Sequence, residues 1–435
     1  MLTAFIRAFK TPDLRKKLLF TLAIMAIFRL GSHVPTPGIS YVDIQNCQLT
    51  PGQTNGVLGL ANLFSGGALL QLSVFALGIM PYITASIIVQ LLVVVIPRFE
   101  TLKAEGQSGT AKLTQYTRYL TIGLAILQSA TLVTAARNPQ TLFGDSCTSI
   151  MPDKRLTTIL IMVLTMTAGT GVIMWMGELI TDRGIGNGMS LLIFTSIASG
   201  FPNSLAAIQN TSGWSTFVLV ILIGFLTIAL VVFVEQSQRR VPVQYAKRMI
   251  GRRMYGGTST YIPLKVNMAG VIPVIFAASL LALPGVAAQF NRGVQRPPAW
   301  VDFINKYLIQ GDHPIYMITY VALIVFFTFF YVSITFNPVE VADNMKKYGG
   351  FIPGIRAGRP TAEYLDYVLT RITVPGATYL ALISLIPLIA LILVGADQNF
   401  PFGGTSILII VSVGLDTVKQ IESQLQQRHY EGFLR

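Results

Sequence analysis

Apolar residues run almost unbroken through ten stretches of the chain, at roughly 18–36, 72–96, 114–136, 155–177, 187–204, 214–235, 266–288, 314–336, 371–394 and 404–422. Apolar runs of about 18 residues or more predict helices that cross a bilayer. The fifth and tenth are interrupted by Ser, Thr and Gly, as in helices that face an aqueous path. Ahead of the second run, a shorter apolar piece from Leu58 to Phe64 breaks at Ser65-Gly66-Gly67-Ala68. By helical rise it covers about half a span, whereas 72–96 reaches about 37 Å. Broken backbone in lipid is tolerated only where protein or a water-filled cavity surrounds it. The pattern therefore predicts a re-entrant half-helix within 58–70, folded back into the interior, followed by a full span closed by Pro97-Arg98.

The predicted fold is an all-α membrane protein of ten helices in two halves of five, 18–204 and 205–422. An odd number of spans per half sets the halves in opposite orientations, the arrangement of inverted-repeat transporters and channels. No residue-level match between the halves is evident. Residues 1–17 form an N-terminal segment and 423–435 a tail, and the longest polar loops are 235–265 and 337–371.

Composition agrees with the spans. The chain is 52% hydrophobic and only 12% charged, with mean hydropathy +0.60, against about 25% charged residues in soluble domains. Residues 1–17 lack the apolar core and small-residue cleavage site of a signal peptide. They pair Leu2, Phe5, Ile6 and Phe9 with Arg7 and Lys10, which suits a helix lying in the interface. Thr11-Pro12 reads as the N-cap and first residue of the next helix. A net charge of +13 would suit a nucleic-acid binder, but its placement argues for orientation of the spans. Of the 32 Lys and Arg, 25 fall on the side that holds both termini, six on the other, and Arg29 lies inside the first span. The positive-inside rule makes the richer side cytoplasmic, giving a multi-pass membrane protein with both termini inside.

Catalytic patterns are missing. His33, His313 and His429 are far apart, no HExxH or GxxxxGK occurs, and no Ser-Lys or paired-aspartate arrangement falls within the spans. The expectation is no enzyme, no cofactor and no metal. Gly184-Ile185-Gly186-Asn187-Gly188 follows a membrane helix rather than a strand, so it reads as a tight turn using left-handed backbone. A pump or carrier should place ionisable groups along its route. Here only Arg29 lies deep, about 16 Å along its helix by rise, while Glu178, Asp182, Glu235 and Asp416 sit near span ends. Arg29 reads as capping backbone carbonyls or pairing inside the bundle. Cys47 and Cys147 both fall in external loops, an oxidising side in many bacteria; a disulfide and two unrelated thiols are both open.

The loops 235–265 and 337–371 are too long for simple turns. The first carries Arg239, Arg240, Lys247, Arg248, Arg252 and Arg253, and the second Lys346, Lys347 and Arg356. A topology signal on anionic lipid accounts for the charge. It does not account for Tyr245, Phe351, Ile352 and Ile355 among the charges, which suggest a docking surface for a protein or ribosome.

Several words, in order along nearly the whole chain, resemble the SecY family, large subunits of protein-conducting channels. They include Phe28-Arg29-Leu30-Gly31, Phe64-Ser65-Gly66-Gly67-Ala68, Ala76-Leu77-Gly78-Ile79-Met80-Pro81, Arg183-Gly184-Ile185-Gly186-Asn187-Gly188, Tyr245-Ala246-Lys247-Arg248, Pro263-Leu264-Lys265-Val266-Asn267, Pro353-Gly354-Ile355-Arg356 and Phe402-Gly403-Gly404-Thr405-Ser406. The external loops at 43–55 and 138–153 depart from the pattern. The resemblance implies an hourglass pore that passes unfolded polypeptides and releases transmembrane segments sideways. It makes Leu60, Leu63, Phe64, Ser65, Gly66, Gly67 and Ala68 a plug, and places Ile79, Ile83, Met189, Ile193, Ile272 and Ile409 in a pore ring. Aliphatic i,i+4 pairs such as Ile79/Ile83 and Met189/Ile193 fill every membrane helix, so their meaning comes from the resemblance alone. A lateral gate between spans two and three and spans seven and eight would hold Thr84, Ser86, Gln90 and Gln128, for which ordinary interhelical hydrogen bonds are an equal alternative. Implied partners are SecE, SecG, the SecA ATPase, the ribosome, SecDF and YidC, with signal peptides and nascent polypeptides as cargo and membrane lipid around them. Arg356 matches the family position most tied to SecA. The alternative from another class is an inverted-repeat secondary transporter of small solutes.

Overall fold

Inside a bilayer the chain itself must satisfy its backbone N–H and C=O groups, so continuous apolar runs become helices. The computed structural model describes residues 9–48, 65–137, 150–153, 155–245, 248–250, 253–255, 259–289, 298–309, 313–394 and 404–433. In chain order the helices are α1 Pro12–Gly31, α2 Tyr41–Gln48, α3 Met80–Val95, α4 Pro97–Ala104, α5 Gln107–Arg137, α6 Leu156–Arg183 and α7 Gly188–Gln236. There follow α8 Ile272–Gln289, α9 Ala299–Ile304 with a π turn Asn305–Ile309, α10 Pro314–Thr335, α11 Pro338–Lys347, α12 Arg359–Val394 and α13 Gly404–Phe433. All ten predicted spans have helix beneath them. The fifth and sixth share α7, which leaves helical geometry at Gly213 (φ 78°, ψ 176°). Among the described residues, α5, α6, α7 from Gly213 onward, α10 and α12 are each long and apolar enough to span alone. A sixth is α3 taken with α4, from which it is bent by 100° where Pro97 opens the second helix.

In the first half, α3 packs on α5, α5 on α6, and α6 on α1 and α7. In the second, α8 packs on α10, α10 on α12 and α12 on α13. The halves are joined where α13 lies along α7 and where α3 and α5 meet α8. The main core draws on both halves, from Phe28 of α1 and Ile173 of α6 to Phe276 of α8, Phe327 of α10 and Leu408 of α13. At the α6–α7 crossing the backbones touch: a Cβ on Gly188 would lie 1.9 Å from the Gly177 carbonyl oxygen. The turn before it behaves as expected. Gly186 adopts φ 90°, and the Asn187 side chain caps α7 by accepting from the Met189 and Ser190 amides at 3.1 and 3.5 Å.

The structure corrects two expectations. The second span was expected as one helix from residue 72, but helix begins only at Met80, and 65–79 runs as successive turns. Pro81 near the helix start, Gly78 at φ 55° and Leu72 at φ 46° interrupt helical geometry. Tertiary bonds replace the helical ones. Thr36 donates to the Leu72 carbonyl through its amide (3.2 Å) and its hydroxyl (2.6 Å), and Val74 N–H donates to Val34 (2.9 Å). The stretch expected as the half-helix of the plug, with Leu60, Leu63 and Phe64, lies outside the described residues.

The second correction concerns the two basic loops, which are one folded unit rather than two. Strand β1 (Gln238–Tyr245) pairs antiparallel with β4 (Ser259–Lys265), and β2 (Arg248–Ile250) with β3 (Arg253–Tyr255) forms a small hairpin beyond them. The other edge of β1 pairs with β5 (Gly350–Phe351) from the second loop, in register Gln244↔Phe351 and Tyr245↔Gly350. Alternation along β1 turns Val241 and Val243 inward and leaves Arg240, Pro242 and Gln244 exposed.

Candidate functional site

Four of the six predicted ring residues, Ile79, Ile83, Ile193 and Ile409, are buried in the main core, and Met189 and Ile272 pack against it half-buried. They come from five places: Ile79 from the turn segment at the N-cap of α3, Ile83 from the first turn of α3, Met189 and Ile193 from α7, Ile272 from the start of α8 and Ile409 from α13. The thioether of Met189 lies over Gly177 of α6, where a Cβ would meet Sδ at 2.5 Å. A glycine there accepts the bulk of this ring member.

Beside the apolar cluster is a cavity of about 510 Å³. Ile193, Ile272 and Ile409 line it on one side. Glu235, Asn267, Ser412 and Asp416 also line it, from the end of α7, from the linker ahead of α8 and from α13. Asn267, in the linker from β4 to α8, donates to Glu235 Oε1 at 2.6 Å and to the Gly270 carbonyl at 3.1 Å. Lys265 pairs with Asp416 at 3.5 Å. These contacts tie the base of the β1–β4 pair to α7 and α13 next to the ring. Neither pair is visible as a local pattern in the sequence.

The described part of the plug, Ser65 to Ala68, is inserted into the bundle, with Ser65 and Ala68 each 1% exposed. Gly66 (φ 67°) lies against α7: a Cβ there would be 3.1 Å from Ser196 Cα. Gly67 (φ 88°) has open space around it, so it serves backbone geometry rather than close approach. Ser65 Oγ accepts from the Leu69 amide at 3.1 Å. Farther along, Phe75 stacks on Phe28 of α1 with ring centroids 5.9 Å apart. A Cβ on Gly169 of α6 would come 2.1 Å from the Val74 carbonyl oxygen. The irregular backbone is thus enclosed by protein, the condition under which lipid-depth loops are stable.

At the predicted lateral seam, α3 and α5 are both in contact with α8. The polar residues named for it bond along α3 itself: Thr84 donates to the Met80 carbonyl at 3.0 Å and Gln90 to Ser86 Oγ at 3.3 Å. Gln128 is half-buried on α5. A stronger polar link on this side went unanticipated. Arg118 of α5 grips Glu178 of α6 with two parallel bonds of 2.8 Å.

The apolar side chains of the basic loops mostly face inward. Val241, Val243, Leu264, Met345, Ile352 and Leu365 form a small core, with Tyr245 and Ile355 packed on it. Of the four thought to be presented outward, only Phe351 is exposed. Arg239, Arg240 and Arg356 are exposed, and Arg240 stacks over Tyr261 at 4.9 Å. Arg248 and Arg253 are placed by backbone on β2 and β3. Lys247, Arg252 and Cys147, with the side chains of Arg248, Arg253 and Cys47, lie outside the described residues, as does the candidate disulfide. Among the described residues no group of three or more His, Cys, Asp or Glu is arranged to hold a metal.

A family model described as SecY matches residues 73–418. Over the full length of both chains, this protein is 67% identical to protein translocase subunit SecY of Streptomyces galbus. It is 57% identical, again over both full lengths, to that of Mycobacterium tuberculosis. Among solved structures it resembles a protein-conducting channel with TM-score 0.64 at 17% identity, covering 94% of this chain and 91% of the other. A second, a SecY structure concerned with a plug domain that stabilises the closed state and maintains a membrane seal, matches with TM-score 0.63 at 18% identity and the same coverage. Sec61 from the canine ribosome–channel complex matches with TM-score 0.60 at 17% identity, over 94% and 91% of the two chains.

Proposed function

Because this chain belongs to the SecY family, we propose that it is the pore-forming subunit of a protein translocase, a passive conduit that passes unfolded polypeptides across the cytoplasmic membrane and releases hydrophobic segments sideways into lipid. The observation that carries this reading is the convergence of Ile79, Ile83, Met189, Ile193, Ile272 and Ile409 on one apolar cluster beside a cavity that Ile193, Ile272 and Ile409 help to line. An aliphatic constriction offers nothing to replace an ion's hydration shell and can dewet. The same side chains make no sequence-specific contact, so unrelated cargo chains can slide past. The re-entrant segment 58–70, whose described part is enclosed in the bundle, is the second seal of the constriction. The seam of α3 and α5 on α8 is the exit for apolar cargo.

Such a conduit has no chemistry or energy source of its own. SecE clamps the two halves, SecG sits beside them, and SecA or a translating ribosome docks on the platform of β1, β4 and β5; SecDF and YidC associate with the same complex. Both termini and the platform are cytoplasmic, in keeping with the distribution of Lys and Arg. A solute carrier is the weaker reading, since the relatives matched over full length are protein translocase subunits.

Arg356 is exposed on the loop between β5 and α12 and is the residue to test. Arg356→Glu should stop SecA-driven export in reconstituted vesicles while SecE still copurifies in equal amount. Normal export by this variant would overturn the docking assignment.

A further inference from the structure

Arg29 is half-buried in the last turn of α1, an otherwise apolar stretch, where an ionisable side chain needs a reason to be present. A cation in that turn interacts favourably with its own helix's carbonyl end. Its shortest bond goes elsewhere: Nη1 donates to the carbonyl oxygen of Gly66 at 2.6 Å. Ser32 Oγ donates to the Arg29 carbonyl at 2.7 Å and sits 3.4 Å from the same Nη1. Ser32 thus caps the α1 end while the guanidinium points to the re-entrant segment. Among the described residues no carboxylate is ion-paired with Arg29. Ser196 of α7 lies close to the same face of Gly66, its Cα 3.1 Å from where a Cβ would stand, so the residue meets both α1 and α7.

We propose that Arg29 is the latch that holds the re-entrant segment in the closed channel, a positioning residue acting through the Gly66 carbonyl; this rests on the reading of the plug as a seal. A charge-assisted bond to a single backbone carbonyl is strong enough to bias the segment inward. It is also readily exchanged. Once the segment leaves and water enters, the guanidinium regains hydration, whereas a buried carboxylate partner would have left two charges to separate. The latch therefore biases closure without locking it. Gly66 suits the contact because its positive φ aims the carbonyl without strain and because a Cβ would come 3.2 Å from Nη1.

The test is potassium efflux from vesicles holding the full complex, with complex recovery and thermal unfolding measured alongside. Arg29→Met keeps the length of the stem and removes every donor. It should raise resting leak about ten-fold or more, the range set by losing a bond to a charged group, and should pass cargo with a defective signal peptide. Arg29→Lys, which retains charge and a donor, should restore part of the closure. Gly66→Ala perturbs the same contact from the other side and should also leak, and the double variant should leak no more than the worse single one. Parental leak from an intact Arg29→Met complex, or effects that multiply in the double variant, would overturn the latch. Leak from Gly66→Ala but not Arg29→Met would reject the latch and leave the seal standing; leak from neither would reject both. If Arg29→Met does not assemble, the cycle is run with Arg29→Lys, and an unchanged leak when that residue is combined with Gly66→Ala decides for the latch and a multiplied one against it.

Discussion

Truncating Ile352 tests whether the apolar residues of the two basic loops hold those loops together or meet a partner directly. Ile352 is 3% exposed and packs with Val243, Leu264 and Leu365, themselves 0–1% exposed. Ile352→Ala leaves a cavity, and such truncations cost about 2–5 kcal/mol in a packed core. With only six buried residues in this cluster, little else can absorb the loss. At the lower end, about 2 kcal/mol is roughly a thirty-fold rise in the fraction of platforms that are open, with β1 parted from both β4 and β5. Trypsin on inside-out vesicles reads that fraction, because cleavage follows the open population when reclosing is fast. Arg239 and Arg240 lie in paired backbone of β1, whereas Arg356 lies on an exposed loop and serves as an internal reference. Cleavage after Arg239 and Arg240 should accelerate about thirty-fold relative to Arg356, and SecA-driven export should fall while resting ion leak stays parental. An unchanged cleavage ratio would refute the shared core.

Two further outcomes follow from the bundle itself. Ile409 is 1% exposed in the apolar cluster, so Ile409→Asn places an unpaired amide there at about 1–3 kcal/mol, a cost relieved when water enters; potassium efflux should rise about ten-fold, and parental efflux would count against a ring. The Arg118–Glu178 pair is 41% and 24% exposed in its side chains, so after allowance for solvent screening its coupling should be about 1 kcal/mol; a double-mutant cycle with Arg118→Ala and Glu178→Ala, read by thermal unfolding of the complex, checks it, and a coupling near zero would remove the pair as a tie between α5 and α6.

Much of the fold was legible locally. Unbroken apolar runs mark the spans because lipid leaves the backbone no partner but itself. Asn187 and Asn337 announce helix starts by capping them, and Gly186 announces a turn through its positive φ. These are properties of neighbouring residues, carried by composition and spacing. What the tertiary structure alone decided are the pairings between distant segments. Residues 72–79 are as apolar as a helix should be, yet Leu72 and Val74 bond across to Thr36 and Val34 while Ser73, Ala76 and Gly78 close short turns, because α1 and Gly169 of α6 hold that stretch among other elements. The strand at Gly350-Phe351 exists only because β1 lies beside it. Arg29 finds Gly66, Arg118 finds Glu178 and Asn267 finds Glu235 for the same reason. An isoleucine facing lipid and one facing the constriction look alike along the chain, since both avoid water; only packing brings Ile79, Ile193 and Ile409 into one cluster.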